Sequence, residues 1–194
     1  MRRAVLLLGA AAIAGLAFSC SGTDVTLATL PGGDDAAPPP APPRCASNDD
    51  CPAGTYCEKE ACDSPSGTCQ LYPAECPNEE QPVCGCDNVT YFDHCLRQAS
   101  RVAAETMGPC PGFTCGGPSS TPCSGIAVCA QLLGIGPEQC SPMPEGHCWV
   151  LPAQCPPPSQ GMNLWDSCQL GPHCLDTCDA LRAGGSYTRA VMCP

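Results

Sequence analysis

The longest apolar stretch of this chain stands at its start, where Arg2 and Arg3 precede a run from Ala4 to Phe18 that stops at Ser19 and Cys20. A basic start, a short apolar stretch and a small-residue end have the form of a signal peptide, here residues 1–19. Fifteen apolar residues at about 1.5 Å each fall short of a hydrocarbon core of roughly 30 Å, so a permanent membrane helix is not expected. Residues 21–44 then contain neither Cys nor aromatic side chains and end in Pro38-Pro39-Pro40-Ala41-Pro42-Pro43. With nothing to bury they form no core, and the pattern predicts a disordered, semi-rigid spacer at about 3.1 Å per residue. Further on, Asp87-Asn88 suits a tight hairpin turn and Val89, Thr90 and Tyr91 suit a strand. Asp93 reads as a helix N-cap, and Leu96, Ala99, Val102 and Ala103 recur at helical spacing, which predicts a short helix beginning near Cys95. Gly108 and Pro109 interrupt structure just before Cys110.

Composition fixes the class. Of 194 residues, 21 are Cys, 24 Pro and 20 Gly, while aromatics make up 5%, the usage of secreted disulfide scaffolds. Cytosolic thiols are kept reduced, so this cysteine content predicts an oxidising compartment: the periplasm, the cell surface or beyond. The formal net charge of −11 with only 8 Lys and Arg leaves no basic footprint for a phosphate backbone, so no nucleic-acid partner is expected. The acidic residues are scattered, as at Asp34-Asp35, Asp49-Asp50, Glu58, Glu60 and Glu79-Glu80, a distribution that serves solubility rather than a site.

The segment Leu16-Ala17-Phe18-Ser19-Cys20 resembles a bacterial lipobox, with Phe18 where a small residue is usual. The resemblance implies that Cys20 is diacylated and becomes the mature N-terminus, anchoring the chain to a membrane, and Ser21 after it points to the outer membrane. The cysteine count agrees: 21 is odd, and removing Cys20 leaves twenty for pairing. The alternative is a plain secretory signal cleaved nearby, giving a secreted protein. The sequon Asn88-Val89-Thr90 would matter only in a eukaryotic secretory pathway.

The twenty remaining cysteines divide evenly, ten from Cys45 to Cys110 and ten from Cys115 to Cys193. Three spacings repeat without gaps: Cys51 to Cys57 with Cys123 to Cys129, Cys69 to Cys76 with Cys148 to Cys155, and Cys95 to Cys110 with Cys178 to Cys193. Gly67-Thr68-Cys69-Gln70-Leu71-Tyr72-Pro73-Ala74-Glu75-Cys76-Pro77 parallels Gly146-His147-Cys148-Trp149-Val150-Leu151-Pro152-Ala153-Gln154-Cys155-Pro156. The expected organisation is therefore a module over 45–110 and a diverged second copy over 111–194. Modules this small, with few large apolar side chains, depend on disulfides worth about 2–4 kcal/mol each.

The stretch Pro82-Val83-Cys84-Gly85-Cys86-Asp87-Asn88-Val89-Thr90-Tyr91-Phe92-Asp93-His94-Cys95 resembles a Kazal domain, the fold of a large family of serine-protease inhibitors. Seven residues separate Cys76 from Cys84, ten separate Cys84 from Cys95, and Cys110 closes the unit, so the resemblance spans about 69–110. It implies a small disulfide-rich α+β fold, two tandem modules each with a short β-hairpin and one short α-helix. By the family pattern Cys76 pairs with Cys95 and Cys84 with Cys110. The family has a further Cys where Gln98 stands, and the extra Cys86 is expected to compensate by pairing with Cys69. The second module repeats the exchange at Leu181 and Cys174, implying Cys155–Cys178, Cys168–Cys193 and Cys148–Cys174. Cys45, Cys51, Cys57 and Cys62, and likewise Cys115, Cys123, Cys129 and Cys140, each allow three pairings.

Kazal inhibitors bind proteases through the loop matching Cys76 to Cys84. The resemblance puts Pro77 and Asn78 before the reactive peptide bond and Glu79 after it, with Asn78 facing the specificity pocket. Asn78 has neither the charge for a trypsin-like pocket nor the bulk for a chymotrypsin-like one, which predicts poor inhibition of common serine proteases. The residues favour reading the loop as an inert connection on a stable scaffold over an inhibitory one, since fold does not imply function. In the second module the corresponding loop begins Pro156-Pro157-Pro158, which predicts no inhibition there. Its Met162, Leu164 and Trp165 are expected to form an exposed apolar contact or, for Trp165, core. The histidines are His94, His147 and His173, without a catalytic motif, so no enzyme is expected. Cys84-Gly85-Cys86, or Cys174 with His173 and Cys178, would bind zinc only if reduced, and neither metal nor cofactor is expected. Two functions fit: an envelope-tethered protein binding an extracellular serine protease, and a non-inhibitory surface module engaging another protein.

Overall fold

The computed structural model describes residues 40–135, 139–157, 164–169, 171 and 173–191. The expected signal segment, Cys20, most of the spacer, Met162 and Cys193 lie outside them. No helix among the described residues is long and apolar enough to cross a membrane.

The first module opens with a three-stranded antiparallel sheet, β1 (Arg44–Cys45), β2 (Thr55–Glu58) and β3 (Gly67–Leu71), in the order β1-β3-β2. The Kazal-like part follows as β4 (Val83–Gly85), β5 (Thr90–Tyr91), helix α1 (His94–Ala99) and β6 (Ala104–Met107). The second module follows this order, with an isolated Trp165–Leu175 bridge in place of β5: β7 (Cys115–Gly116), β8 (Val128–Ile135), β9 (Glu145–Val150), β10 (Trp165–Ser167), helix α2 (Thr177–Ala183) and β11 (Gly185–Arg189).

The repetition extends to register. Cys45 faces Gly67 and Cys57 faces Cys69; Cys115 faces Gly146 and Cys129 faces Cys148. Glycine is required opposite the first half-cystine because the neighbouring strand passes too close for a side chain. A Cβ on Gly146 would sit 2.8 Å from the Ala130 carbonyl oxygen, and one on Gly67 would collide with that of Glu58. Both helices are capped by aspartate: Asp93 accepts from the Leu96 amide at 2.7 Å and Asp176 from the Asp179 amide at 3.0 Å.

Where the modules meet, they share one sheet. Its strand order is β10-β11-β8-β9-β5-β4-β6, with β7 also paired to β9. Parallel pairing of β5 with β9 sets Thr90 opposite Trp149 and Tyr91 opposite Val150, and the Phe92 amide donates to the Val150 carbonyl at 3.0 Å. The cores cross the same seam. Val83, Val89 and Tyr91 pack with Cys115, Cys148 and Val150 in one cluster, and Phe92 packs with Ala130, Trp149, Cys178 and Leu181 in the other. Separately, the β1-β3-β2 sheet has a core of half-cystines, Cys45, Cys57 and Cys69, with Cys51 against them.

Nine disulfides join described residues, and each stays within its module. The first contains Cys45–Cys57, Cys51–Cys69, Cys62–Cys86, Cys76–Cys95 and Cys84–Cys110. The second contains Cys115–Cys129, Cys123–Cys148, Cys140–Cys168 and Cys155–Cys178. Cys174 is also disulfide-bonded.

Three expected pairings are corrected. Cys69 bonds Cys51 rather than Cys86, because β3 belongs to a different sheet from the strand before Cys86. It is Cys62, after β2, that reaches Cys86. Cys148 bonds Cys123 rather than Cys174, repeating the Cys51–Cys69 arrangement. Cys168 bonds Cys140 rather than Cys193 because strand register matches it to Cys86, not to Cys84. The Cys86 amide donates to the Ala103 carbonyl at 2.9 Å, and the Cys168 amide donates to Ser186 in the same manner at 2.9 Å. Val83 faces Met107 as Trp165 faces Arg189, so Asp166 takes the place of Cys84.

Helix α1 also differs from expectation. It ends at Ala99, which is exposed, while Arg101 takes a φ of 59°. The fully buried side chain of the helix is Arg97. It bonds Glu58 at 2.8 Å, donates to the Val102 carbonyl, meets His94 Nε2 at 2.9 Å and lies over the Tyr56 ring. A charge carried inside must be paired, and this one ties the Kazal-like helix to the preceding β2-β3 hairpin. Burial and the Glu58 carboxylate push the Tyr56 hydroxyl up to about 12.

Two outcomes follow for the oxidised protein in thermal or denaturant unfolding. Arg97→Met strands Glu58 and costs about 3 kcal/mol, whereas Arg101→Met, removing an exposed cation over Tyr72, costs roughly 0.5 kcal/mol or less. Leu181→Ala opens the core at the seam and costs about 3 kcal/mol.

Candidate functional site

The segment between Cys76 and Cys84 is a loop without helix or strand until Val83. Covalent bonds fix both its ends: Cys76 to Cys95 near the start of α1, and Cys84 to Cys110 at the close of the module. Residues Pro77, Asn78, Glu79, Glu80 and Gln81 are exposed, while Val83 is fully buried. The chain between these anchors is pinched rather than fully extended. The Glu79 amide donates to the Pro77 carbonyl at 2.9 Å and the Gln81 amide to the Glu79 carbonyl at 2.9 Å, both three-residue turn contacts. The Gln81 amide also donates to Phe92 at 3.1 Å, which ties the loop to the residue entering α1.

The loop is not isolated from the second module. Asn78 Nδ2 donates to the Gln154 carbonyl at 3.2 Å, across 76 positions of sequence. Glu80 reaches the start of α2. Burial raises its carboxyl above the ordinary range; a bond from the Thr177 side chain opposes this, and the negative charge of Asp176 adds to it. Sequence reasoning missed these contacts because the acceptor at Gln154 is a backbone oxygen and no residue pattern announces one.

Beneath the loop lies a cavity of about 190 Å³ at the seam. Glu80, Pro82, Phe92 and Pro109 line it from the first module, and Leu132, His147, Trp149, Thr177 and Leu181 from the second. Burial holds the His147 imidazole below its ordinary value, with a bond to the Gly112 backbone opposing.

In the second module, the loop following Cys155 is described only through Pro157 before resuming at Leu164. Leu164 and Trp165 are half-buried. Trp165 stands in β10, and its Nε1 donates to Thr177 Oγ1 at 3.1 Å. It thus joins β10 to the first turn of α2 instead of offering a free apolar surface. His173 lies 3.4 Å from Asp166 and is mostly exposed.

Groupings with metal-ligand spacing do occur, such as Cys76, Asp93 and Cys95, or Cys155, Asp176 and Asp179. Their sulfurs belong to the Cys76–Cys95 and Cys155–Cys178 bridges. Cysteine coordinates a metal as its thiolate, which a half-cystine does not supply. Cys84, Cys86, Cys174 and Cys178 are disulfide-bonded too, so the two zinc sets considered from sequence have the same deficiency.

The hairpin β4-β5, the capped helix α1 and the closing strand β6 form the α+β unit implied by the Kazal resemblance. Its turn uses Asn88 at a φ of 60°, and the Gly85 amide donates to the Val89 carbonyl at 2.9 Å. Comparison with protein families gives the same assignment: residues 72–116 match the family model of the Kazal-type serine protease inhibitor domain. Members of that family inhibit proteases and are not enzymes. A doubly clamped loop, a hairpin, a capped helix and this match together make residues 72–116 a Kazal-type domain, set within a larger disulfide-rich chain.

Proposed function

We propose that the chain is an extracytoplasmic protease-binding protein, tethered to the bacterial envelope, whose contact segment is Pro77-Asn78-Glu79. The observation that carries this reading is the clamping of that exposed segment by Cys76–Cys95 and Cys84–Cys110. A loop fixed at both ends loses little conformational entropy on docking, and if cleaved its new ends remain close enough to rejoin. Asn78 is the specificity residue of this loop and disfavours both trypsin-like and chymotrypsin-like pockets. The lipobox at Leu16–Cys20 supports acylation of Cys20. The spacer after it would hold the folded modules away from an outer membrane.

The repeated register, helix cap and bridge pattern support descent of the second module from the same unit as the first. Its loop carries Pro156 and Pro157 directly after Cys155, which makes it a poor protease substrate mimic.

A second reading, a non-inhibitory surface module, is favoured by one contact. Asn78 would have to give up its bond to the Gln154 carbonyl before entering a specificity pocket.

Replacing the specificity residue separates the readings. Asn78→Arg in the oxidised chain is expected to improve inhibition of a trypsin-like protease by at least roughly thirtyfold, the size of one anchoring hot spot. Residual protease activity against inhibitor concentration is the measurement. If Asn78→Arg and Asn78→Leu leave trypsin-like, chymotrypsin-like and subtilisin-like proteases all unaffected, the loop is only scaffold.

A further inference from the structure

The cavity at the seam has a composition suited to one class of small ligand. Its walls are apolar or aromatic at Phe92, Trp149, Leu132 and Leu181, and Glu80 lines it from the loop between Cys76 and Cys84. No lysine or arginine is among its lining residues. The nearest arginine on α2, Arg182, donates instead to the Ala153 and Pro152 carbonyls at 3.1 and 2.6 Å. Asp176 adds a second negative charge beside Glu80. His147 completes the wall as a neutral ring at pH 7, since burial disfavours its charged form. The site therefore combines a carboxylate that faces no cation with aromatic surfaces around a cavity of about 190 Å³.

We propose that this cavity binds a primary alkylammonium group, with the nitrogen against the Glu80 carboxylate and the carbon chain between Phe92, Trp149 and Leu132. A carboxylate with a second negative charge beside it and no cation among the cavity's lining residues gains from an opposite charge. Ring faces attract the same cation, and the apolar walls accept its methylenes. A butanoate would meet repulsion at Glu80 and Asp176. Butanol would keep the apolar contacts but lose the charge. The group is either a free amine or the side chain of a lysine on a partner, and the site stands whether or not the loop above it binds a protease.

The test is titration of the oxidised chain with n-butylammonium, n-butanol and butanoate, following the indole N–H resonance of Trp149 by NMR. The expected result is saturable binding of butylammonium at millimolar concentration, with butanol at least about tenfold weaker and butanoate not bound. Glu80→Gln abolishes the preference for the amine, while Glu105→Gln, an exposed carboxylate outside the cavity, leaves it intact. Binding weakens on acidification as Glu80 takes up its proton, because the amine itself stays charged. Since burial raises the Glu80 carboxyl, that loss begins at a higher pH than for an ordinary glutamate. Tighter binding of Nα-acetyl-lysine methylamide than of butylammonium assigns the site to a partner's lysine; the reverse order assigns it to a free amine. The proposal is overturned if butanol binds as well as butylammonium, if Glu80→Gln leaves amine binding unchanged, or if no ligand saturates.

Discussion

The structure depends on covalent closure within each module combined with backbone pairing between modules. The short strands and two short helices among the described residues, with few large apolar side chains, could not hold either half together by burial alone. The sulfur bridges remove that burden by restricting the unfolded chain, and they do so over short loops, the longest among the described residues spanning 28 positions, at Cys140–Cys168. Because none of the bridges among the described residues crosses from one module to the other, the seam rests on non-covalent terms. It has the β5-β9 ladder, the shared clusters around Tyr91 and Trp149, and the reach of Asn78 to Gln154.

This division explains how a Kazal-type domain sits inside a larger fold. Its hairpin and helix are closed by Cys76–Cys95 and Cys84–Cys110, while Cys62–Cys86 and the buried Arg97–Glu58 pair attach it to the preceding hairpin. On its other side β5 becomes the neighbour of β9. The loop thus emerges where three constraints converge, with the second module beneath it. The proposed protease binding and the proposed amine site draw separately on that placement: one would use the exposed loop, the other the cavity lined by Glu80.

Much of this arrangement was legible in the chain. Asp93 announced the helix, Asn88 the turn, and the spacing of Cys76, Cys84, Cys95 and Cys110 the Kazal-type unit. The string from Gly67 to Pro77 parallels that from Gly146 to Pro156, and the strand registers at Cys69 and Cys148 agree with it. What failed was pairing by order in sequence. Asp166 stands in the strand position of Cys84, so counting cysteines matched Cys168 to the wrong partner, whereas backbone register matches it to Cys86. Helical periodicity likewise counted Ala99 among the buried positions and passed over Arg97, because a buried arginine is stabilised by tertiary partners that no local pattern contains. The sharing of one sheet by two modules was illegible for a related reason: β5 is a two-residue strand, and its parallel partner lies some sixty positions away.

The most direct measurement is a disulfide map of the native chain by proteolysis without reduction and mass spectrometry. The account predicts linked peptides for Cys51–Cys69, Cys62–Cys86, Cys123–Cys148 and Cys140–Cys168, and no peptide joining a cysteine of residues 45–110 to one of 115–193. A Cys69–Cys86 link, a bridge between modules, or abundant free thiols in native material would contradict it.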